Sequence, residues 1–391
     1  MSLSAGPSST LHVLTLTPFF PSDKNEVSGC FVAEPIGQCE QFGVDSTVIA
    51  TSPVHYPRKH SISSAPAEWV RYPQLPGTFG LSSAGKLLCT RLLERVRKLH
   101  HVRPIDVIHA HAALPCGHAA ALLSRHLKIP FVVTAHGLDV FNTCASRGIA
   151  VAWRRKVSVD VYSAAQSVIC ISRKVQEMLK AGTPIGTRST IVHNGVNPNL
   201  FSPGPEESTQ CGPEILVVGS LLESKGHGLV LRAISKLLPT FPQLQCRIIG
   251  EGRDRTQFEA LVRELGIGPH VQFGARLSRP EVADAMRRCS VFVLPSRNEG
   301  LGCVYLEAMA CGKPVIGCRG QGIDEVIEQG RNGWLIPADG LEDLVQGLFA
   351  LLESPARRAH LGTAARQTIL ERFTLSHQAQ QLIQVYRQAI A

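Results

Sequence analysis

Two glutamates, a lysine and a histidine are the residues of this chain best suited to handling a charged, hydroxyl-rich ligand. Glu299 and Glu307 lie in PSRNEGLGCVYLEAMACGKPVIGCRGQG, residues 295–322, with seven residues between them. The run VFVL before it reads as a short buried strand. NEGLG is a tight loop, CVYLEAMAC a helix closed by Gly312, and KPVIGC another buried strand. Strand, glycine-rich loop, helix, strand is half of a nucleotide-binding α/β layout, with the loop at the carboxyl end of a strand. The amides of Gly302, Cys303 and Val304 would open the helix, and such a terminus attracts phosphate. A carboxylate beside phosphate is repulsive, so Glu299 is expected to meet sugar hydroxyls and Glu307, further along the helix, a ribose diol. A solvated Glu299 and a merely paired Glu307 are the bland alternatives.

Lys225 follows the strand EILVVGS in a glycine-bearing loop, where an ammonium can meet a diphosphate. His136 ends the buried strand PFVVTAH and is followed at once by glycine, again at a carboxyl-end crevice. His109, His111 and His118 invite a metal reading. No carboxylate or cysteine completes a ligand set at a usual spacing, so no metal site is expected.

These residues need a large α/β scaffold. The 391 residues suffice for two domains, and 44% hydrophobic with 18% charged content suits a folded globular chain. No run of about 18 apolar residues exists, so a spanning helix is not expected. The start, MSLSAGPSST, lacks a basic n-region and reads as a polar tail rather than a secretory signal. Twelve cysteines, none in C-x-x-C, read as free thiols in a reducing cytosol. Through Gly195 there are 20 Lys and Arg against 11 Asp and Glu; from Val196 onward the count is 20 against 20. The whole net charge of +9 therefore sits in the first half, which suggests an anionic partner. No nucleic-acid motif accompanies it.

In the first half, LHVLTLTPFFP, residues 11–21, reads as the first strand running into a proline-stopped loop, then a helix ends at Gly43 and a strand follows. Residues 53–80 are proline-rich and read as irregular. Residues 86–103 form an amphipathic helix, with Leu88, Leu92, Val96 and Leu99 at helical spacing. Lys86, Arg91, Arg95, Arg97, Lys98 and Arg103 make it basic against Glu94 alone. Its leucines can pack on the sheet while its cations offer a peripheral contact with anionic membrane. Further strand–helix units reach residue 201, and the polar SPGPEESTQCGP, residues 202–213, reads as a linker.

Several segments in one order carry a family resemblance. NEGLGCVYLEAMACGKPVIG followed by GQGIDEVIEQGRNGWLI resembles the E-x7-E signature of the retaining glycosyltransferases of family 4, a GT-B-fold family. VVTAHGLDVF resembles its T-x-H-G-x-D stretch, and Asn194-Gly195-Val196-Asn197 with Phe201 its N-G-V-D-x-x-x-F junction. The resemblance implies an α/β GT-B chain of two Rossmann-like domains facing across a cleft. Residues 1–201 would bind the acceptor and residues 214–375 the donor, a nucleotide-diphosphate sugar. The final helix, 376–391, would cross back onto the first domain. It implies further that Lys225 neutralises the leaving diphosphate, that His136 and Glu299 hold the transferring sugar, and that Glu307 holds the ribose. Asp139 would cap the turn after His136. Arg276 would lie near the base, and the loop with Gly29 would approach donor or acceptor through its backbone. Many relatives carry arginine after the strand's glycine, where this chain has Ser220 after Gly219. Arg276 is the candidate to replace that lost cation.

No D-x-D motif occurs, and the family implies metal-independent transfer with no cofactor beyond the donor. The expected partner is a glycan or lipid-linked acceptor in polysaccharide or cell-surface glycan assembly, in the cytoplasm or at the inner membrane face. Two alternatives stay open: a nucleotide-sugar epimerase of the same fold, and a non-catalytic sugar-nucleotide-binding relative.

Overall fold

A computed structural model describes residues 10–74, 77–137, 140, 149–183, 185, 188–204 and 212–391. The N-terminal tail to residue 9, Asp139 and most of the expected linker lie outside the described residues. The chain divides into two compact units, Met1–His193 with Leu375–Ala391, and Asn194–Thr374.

The first unit is built on a seven-stranded sheet. Its strands are β1 His12–Thr17, β2 Asp45–Pro53, β3 Glu68–Tyr72, β4 Val107–His111, β5 Phe131–Ala135, β6 Ser167–Cys170 and β7 Ser189–Ile191. Their order is β3-β2-β1-β4-β5-β6-β7, all parallel. The central strands HVLTLT, VIHAH and FVVTA are buried at every residue. That follows from helices covering both faces of a parallel sheet. Helices α1 Cys30–Gln41, α2 Gly77–Val102, α3 His118–Leu127, α4 Ile149–Ala164 and α5 Arg173–Gly182 supply much of that cover.

Two differences from the expected elements lie between residues 53 and 80. β3 occupies the proline-rich stretch, pairing with β2 from Ile49↔Glu68 to Pro53↔Tyr72. As an edge strand it has a single ladder to satisfy, so prolines close to it do little harm. Helix α2 begins at Gly77, nine residues before the basic amphipathic run. As expected, Leu88, Leu92 and Val96 are fully buried. Two of its cations have acidic partners, Arg95 with Glu68 and Arg97 with Glu94, and Arg103, just past its end, pairs with Asp45.

The second unit has a six-stranded parallel sheet: β8 Glu214–Val218, β9 Gln245–Ile249, β10 Val271–Gly274, β11 Val291–Val293, β12 Val315–Cys318 and β13 Trp334–Ile336. Its order is β10-β9-β8-β11-β12-β13. Helices α6 His227–Leu237, α7 Arg255–Glu264, α8 Arg279–Arg288, α9 Cys303–Ala310, α10 Leu341–Glu353 and α11 Pro355–Arg372 complete it. Tyr305 on α9 is fully buried, meets Phe292 of β11 edge-on at 5.7 Å, and donates its hydroxyl to the Leu294 carbonyl. That anchor fixes the start of α9 against the carboxyl end of β11.

The last helix, α12 Leu375–Ile390, belongs to the first unit. Leu382, Ile383, Val385 and Tyr386 join a core with Val13, Val107, Val132 and Ile169 of the sheet and Val192 just after β7. Burying each large apolar side chain contributes roughly 1.5–3 kcal/mol, enough to hold a terminal helix in place. Among the described residues no helix is long and apolar enough to cross a membrane.

Candidate active site

In the second sheet the strand order reverses between β8 and β11. Loops leaving the carboxyl ends of two such strands diverge and open a crevice, the usual ligand position in an open α/β sheet. The two sequence-predicted residues that follow these strands meet there. Lys225 Nζ lies 2.5 Å from Glu299 Oε2, with side chains 22% and 16% exposed. The pair is sheltered enough to hold and open enough to be exchanged for a ligand.

The surrounding loops are laced together by backbone. Gly219 N donates to the Ile249 carbonyl at 3.0 Å, and Leu221 N to the Glu251 carbonyl at 3.0 Å, tying the β8 loop to the β9 loop. Arg297 N donates to the Ser224 carbonyl at 2.7 Å. From the β12 loop, Gln321 Oε1 accepts from Glu299 N at 3.0 Å, and Gly322 N donates to the Glu299 carbonyl at 3.2 Å. A Cβ at Gly322 would stand 1.8 Å from the Gly300 carbonyl oxygen, so only glycine permits this approach. Gly302, with φ +82°, turns the chain into α9. Neither an acidic residue nor a side-chain cap occupies this helix start, which Gly302, Cys303 and Val304 form. Asn194 Nδ2 reaches Cys303 Sγ at 3.2 Å.

Glu307 is 5% exposed, and its Oε1 accepts from Arg279 Nη1 at 2.7 Å. Arg279 lies over the Phe201 ring at 4.9 Å. Sequence reasoning missed Arg279, because it opens a different helix 28 residues upstream. Only its S-R-P-E context was legible, and that marks a helix start, realised as the Ser278–Glu281 capping box. Arg276 is exposed and pairs with Glu251 at 3.4 Å, joining the β10 and β9 loops. Ser220 is exposed, and its carbonyl is 2.9 Å from His227 Nε2.

In the first unit, His136 leaves the carboxyl end of β5 beside His111, the last residue of β4. His136 Nε2 and His111 Nδ1 are 2.9 Å apart, and the rings stack at 5.2 Å. Phe19 and Phe31 meet the His136 ring edge-on at 5.7 and 5.0 Å. His109 Nδ1 is 2.8 Å from Tyr386 Oη, and its Nε2 is 2.7 Å from Thr134 Oγ1. Burial pushes His136 down to about 4 and His109 to about 3, and His111 well below the usual histidine range; neighbouring rings add to the last two. All three are neutral at pH 7, so His136 presents a hydrogen-bonding imidazole rather than a cation. Gly29, φ +81°, caps α1 so close to the β1 loop that a Cβ would stand 2.4 Å from Phe20 N. Among the described residues no group of three or more His, Cys, Asp or Glu could hold a metal ion.

Comparison with known proteins bears on the family and the fold. Residues 204–368 match Glycosyl transferases group 1, and residues 32–200 match Glycosyltransferase Family 4. An uncharacterized glycosyltransferase of Methanocaldococcus jannaschii is 32% identical over 263 residues, 67% of this chain and 70% of the relative. The chain belongs to the group 1, family 4 glycosyltransferases. A D-inositol 3-phosphate glycosyltransferase of Thermobispora bispora is 29% identical over 352 residues, covering 84% of this chain and 79% of that protein. Among solved structures, sucrose-phosphate synthase from Thermosynechococcus elongatus superposes with a TM-score of 0.78 at 21% identity, over 97% of this chain and 98% of that one. Anabaena HepE in complex with UDP and glucose gives 0.76 at 19% identity, over 96% and 98%. The fold of this glycosyltransferase is therefore GT-B.

Proposed function

We propose that this glycosyltransferase transfers a hexose from a nucleotide-diphosphate sugar, with retention at the anomeric carbon, to a glycan or lipid-linked acceptor. The observation that carries the donor assignment is the Lys225–Glu299 pair at the switch point of the second sheet, 2.5 Å apart. It sets a cation for diphosphate beside a carboxylate for sugar hydroxyls. The start of α9, without a side-chain cap, adds backbone amides for the phosphate, and buried Glu307, oriented by Arg279, serves the ribose. Arg276 is assigned to the base edge and, with Ser220 in place of a cation, to the phosphates. His136 is assigned as the first unit's neutral hydrogen-bonding group for a sugar hydroxyl, and the Gly29 loop as a backbone contact.

In the proposed reaction the bond from the anomeric carbon to the diphosphate oxygen breaks, and a bond to the acceptor oxygen forms on the same face. The acceptor proton passes to the departing phosphate oxygen. Lys225 and the α9 amides stabilise the negative charge that develops there, and no metal or cofactor is required. HepE has been solved with UDP-glucose, which makes UDP-hexoses the first donors to test. The surplus positive charge of the first half supports an anionic or lipid-linked acceptor, with peripheral membrane contact resting on Arg91 and Lys98 of α2.

Calorimetry with UDP-, GDP- and ADP-sugars, without metal, tests the donor site. One donor class should bind saturably and weaken in Lys225→Ala and Glu307→Ala. No binding to any of them by the folded protein would overturn the assignment. NMR of the product then tests retention: a product of opposite anomeric configuration, or free epimerised sugar without acceptor, would refute the transfer mechanism.

A further inference from the structure

A second recess is built wholly from the first unit. Its volume is about 490 Å³, and α3 contributes His118 and Arg125, α2 contributes Ser82 and Lys86, and α4 contributes Trp153 and Lys156. That is the size range of small-molecule sites. None of the donor-site residues lines it.

Its chemistry is not that of an ordinary gap between helices. Lys86, Arg125 and Lys156 come from three different elements, are exposed, and make no ion pair among the described residues. Like charges gathered without partners repel, so their convergence is a cost that an anion would relieve. Asp160 also lines the recess. Lys86 and Arg125 act to lower the pKa of His118, behind burial as the main cause, while Asp160 and the Ser82 backbone oppose them. The hydroxyls of Ser82 and Ser163 on its walls are buried without a hydrogen-bond partner among the described residues. Trp153, 39% exposed, offers its indole at the rim.

We propose that this cleft binds a sugar bearing a phosphate or carboxylate, as a carbohydrate site additional to the donor site. Lys86, Arg125 and Lys156 take the anionic group. Trp153 stacks on the apolar face of the ring, and Asp160 accepts from ring hydroxyls. Asp160 is what separates this reading from a plain anion site: a carboxylate among three cations weakens phosphate capture but suits a polyhydroxylated ligand. The recess also suits a discrete ring better than a flat lipid surface.

The probes are glucose 6-phosphate and glucuronate, titrated by calorimetry and Trp fluorescence without donor, with glucose and inorganic phosphate as the separate halves. Each anionic sugar should bind saturably, at least about tenfold tighter than either half, since both parts contribute. Trp153→Ala, and Lys86→Ala combined with Lys156→Ala, should each weaken binding about tenfold or more, while Lys225→Ala leaves it unchanged. These positions are exposed, so the variants fold, and melting curves confirm it. Binding should also raise the pKa of His118, read from its imidazole ¹H–¹³C signals, because the anion offsets Lys86 and Arg125. No saturable binding at millimolar probe overturns the proposal. So does binding that survives both sets of substitutions, or that is no tighter than for inorganic phosphate. The readouts need no transfer activity, so failure here is distinct from failure of the glycosyltransfer reading.

Discussion

If Lys225 serves the diphosphate and Glu299 the sugar, replacing the two members of one ion pair must shift nucleotide affinity in opposite directions. In the free protein Lys225 Nζ stands 2.5 Å from Glu299 Oε2. At that separation two unit charges attract by about 7 kcal/mol at an effective dielectric near 20, and by about 2 kcal/mol in bulk water. Desolvation and side-chain ordering consume most of this, and the pair retains a net value on the order of 1 kcal/mol. A diphosphate must draw Lys225 partly out of that pair. Glu299→Gln removes the competing charge and leaves the ammonium, so affinity for the free nucleoside diphosphate should rise, by up to about fivefold. Lys225→Ala removes a charge-assisted hydrogen bond worth about 1.5–3 kcal/mol, so affinity should fall about 10- to 150-fold.

Calorimetry with the nucleoside diphosphate and with the intact sugar donor separates the roles. Glu299→Gln should bind the diphosphate more tightly than wild type and yet lose turnover, because the sugar loses its carboxylate. If both variants weaken the bare diphosphate to the same degree, the pair acts as one phosphate-binding unit and Glu299 has no separate sugar role. If neither changes it, the switch-point assignment fails.

Other substitutions test the supporting structure. Arg279→Ala leaves Glu307, 5% exposed, without the guanidinium on its Oε1, and should cost about 3 kcal/mol in urea denaturation; an unchanged midpoint would show that Glu307 is otherwise satisfied. Gly322→Ala must displace either the Gly300 carbonyl or its own loop, since a Cβ would lie 1.8 Å away; donor binding should fall at least about tenfold while the far-UV spectrum stays native. The first unit should be acid-labile. His109, His111 and His136 have folded pKa values below the unfolded value near 6.5, at about 3, well below, and about 4. As pH falls through 6.5 the unfolded chain takes up protons that the folded chain refuses. Stability is therefore full above about pH 7 and declines toward pH 4, by up to about 4 kcal/mol per pH unit if all three contribute. Melts from pH 8 to 4.5 check this, and His111→Gln should flatten the slope by about one proton.

Much of this arrangement was legible in the sequence because it rests on local signals. Apolar runs such as VFVL and FVVTA could only be buried strands, and Gly302 and Gly312 bracket α9 as turn and cap. Glu299 was assigned to a loop and lies in one, whereas Lys225, also assigned to a loop, ends the short 3-10 turn Glu223–Lys225 after β8. The pairs were less legible. That Lys225 meets Glu299, 74 residues away, follows from strand order, which composition and periodicity do not encode. Arg279 carried no spacing relation to Glu307 and was read only as part of a helix. His111 was weighed for metal, yet it partners His136, and the neighbour of His109 is Tyr386, 277 residues on. The strand at residues 68–72 was hidden because proline-rich flanks suit an edge strand as well as a loop.

The two units handle sheltered polarity in opposite ways. Around β8 and β11 the charges are retained and paired, Lys225 with Glu299 and Glu307 with Arg279, and such pairs can exchange partners when a charged ligand arrives. Around β4 and β5 the imidazoles are kept neutral and bonded to one another, to Thr134 and to Tyr386 of α12. A neutral imidazole keeps its hydrogen-bonding groups without adding a cation to the first unit. The Tyr386 bond adds a structural consequence. With its hydroxyl gone, a Tyr386→Phe variant leaves His109 Nδ1 buried without that partner, at a cost of about 1–3 kcal/mol. Hydrogen exchange should then quicken along 375–390 and at His109 before it does in the second unit. Uniform exchange changes in both units would mean that the hydroxyl stabilises the chain globally rather than docking α12 on the histidine cluster.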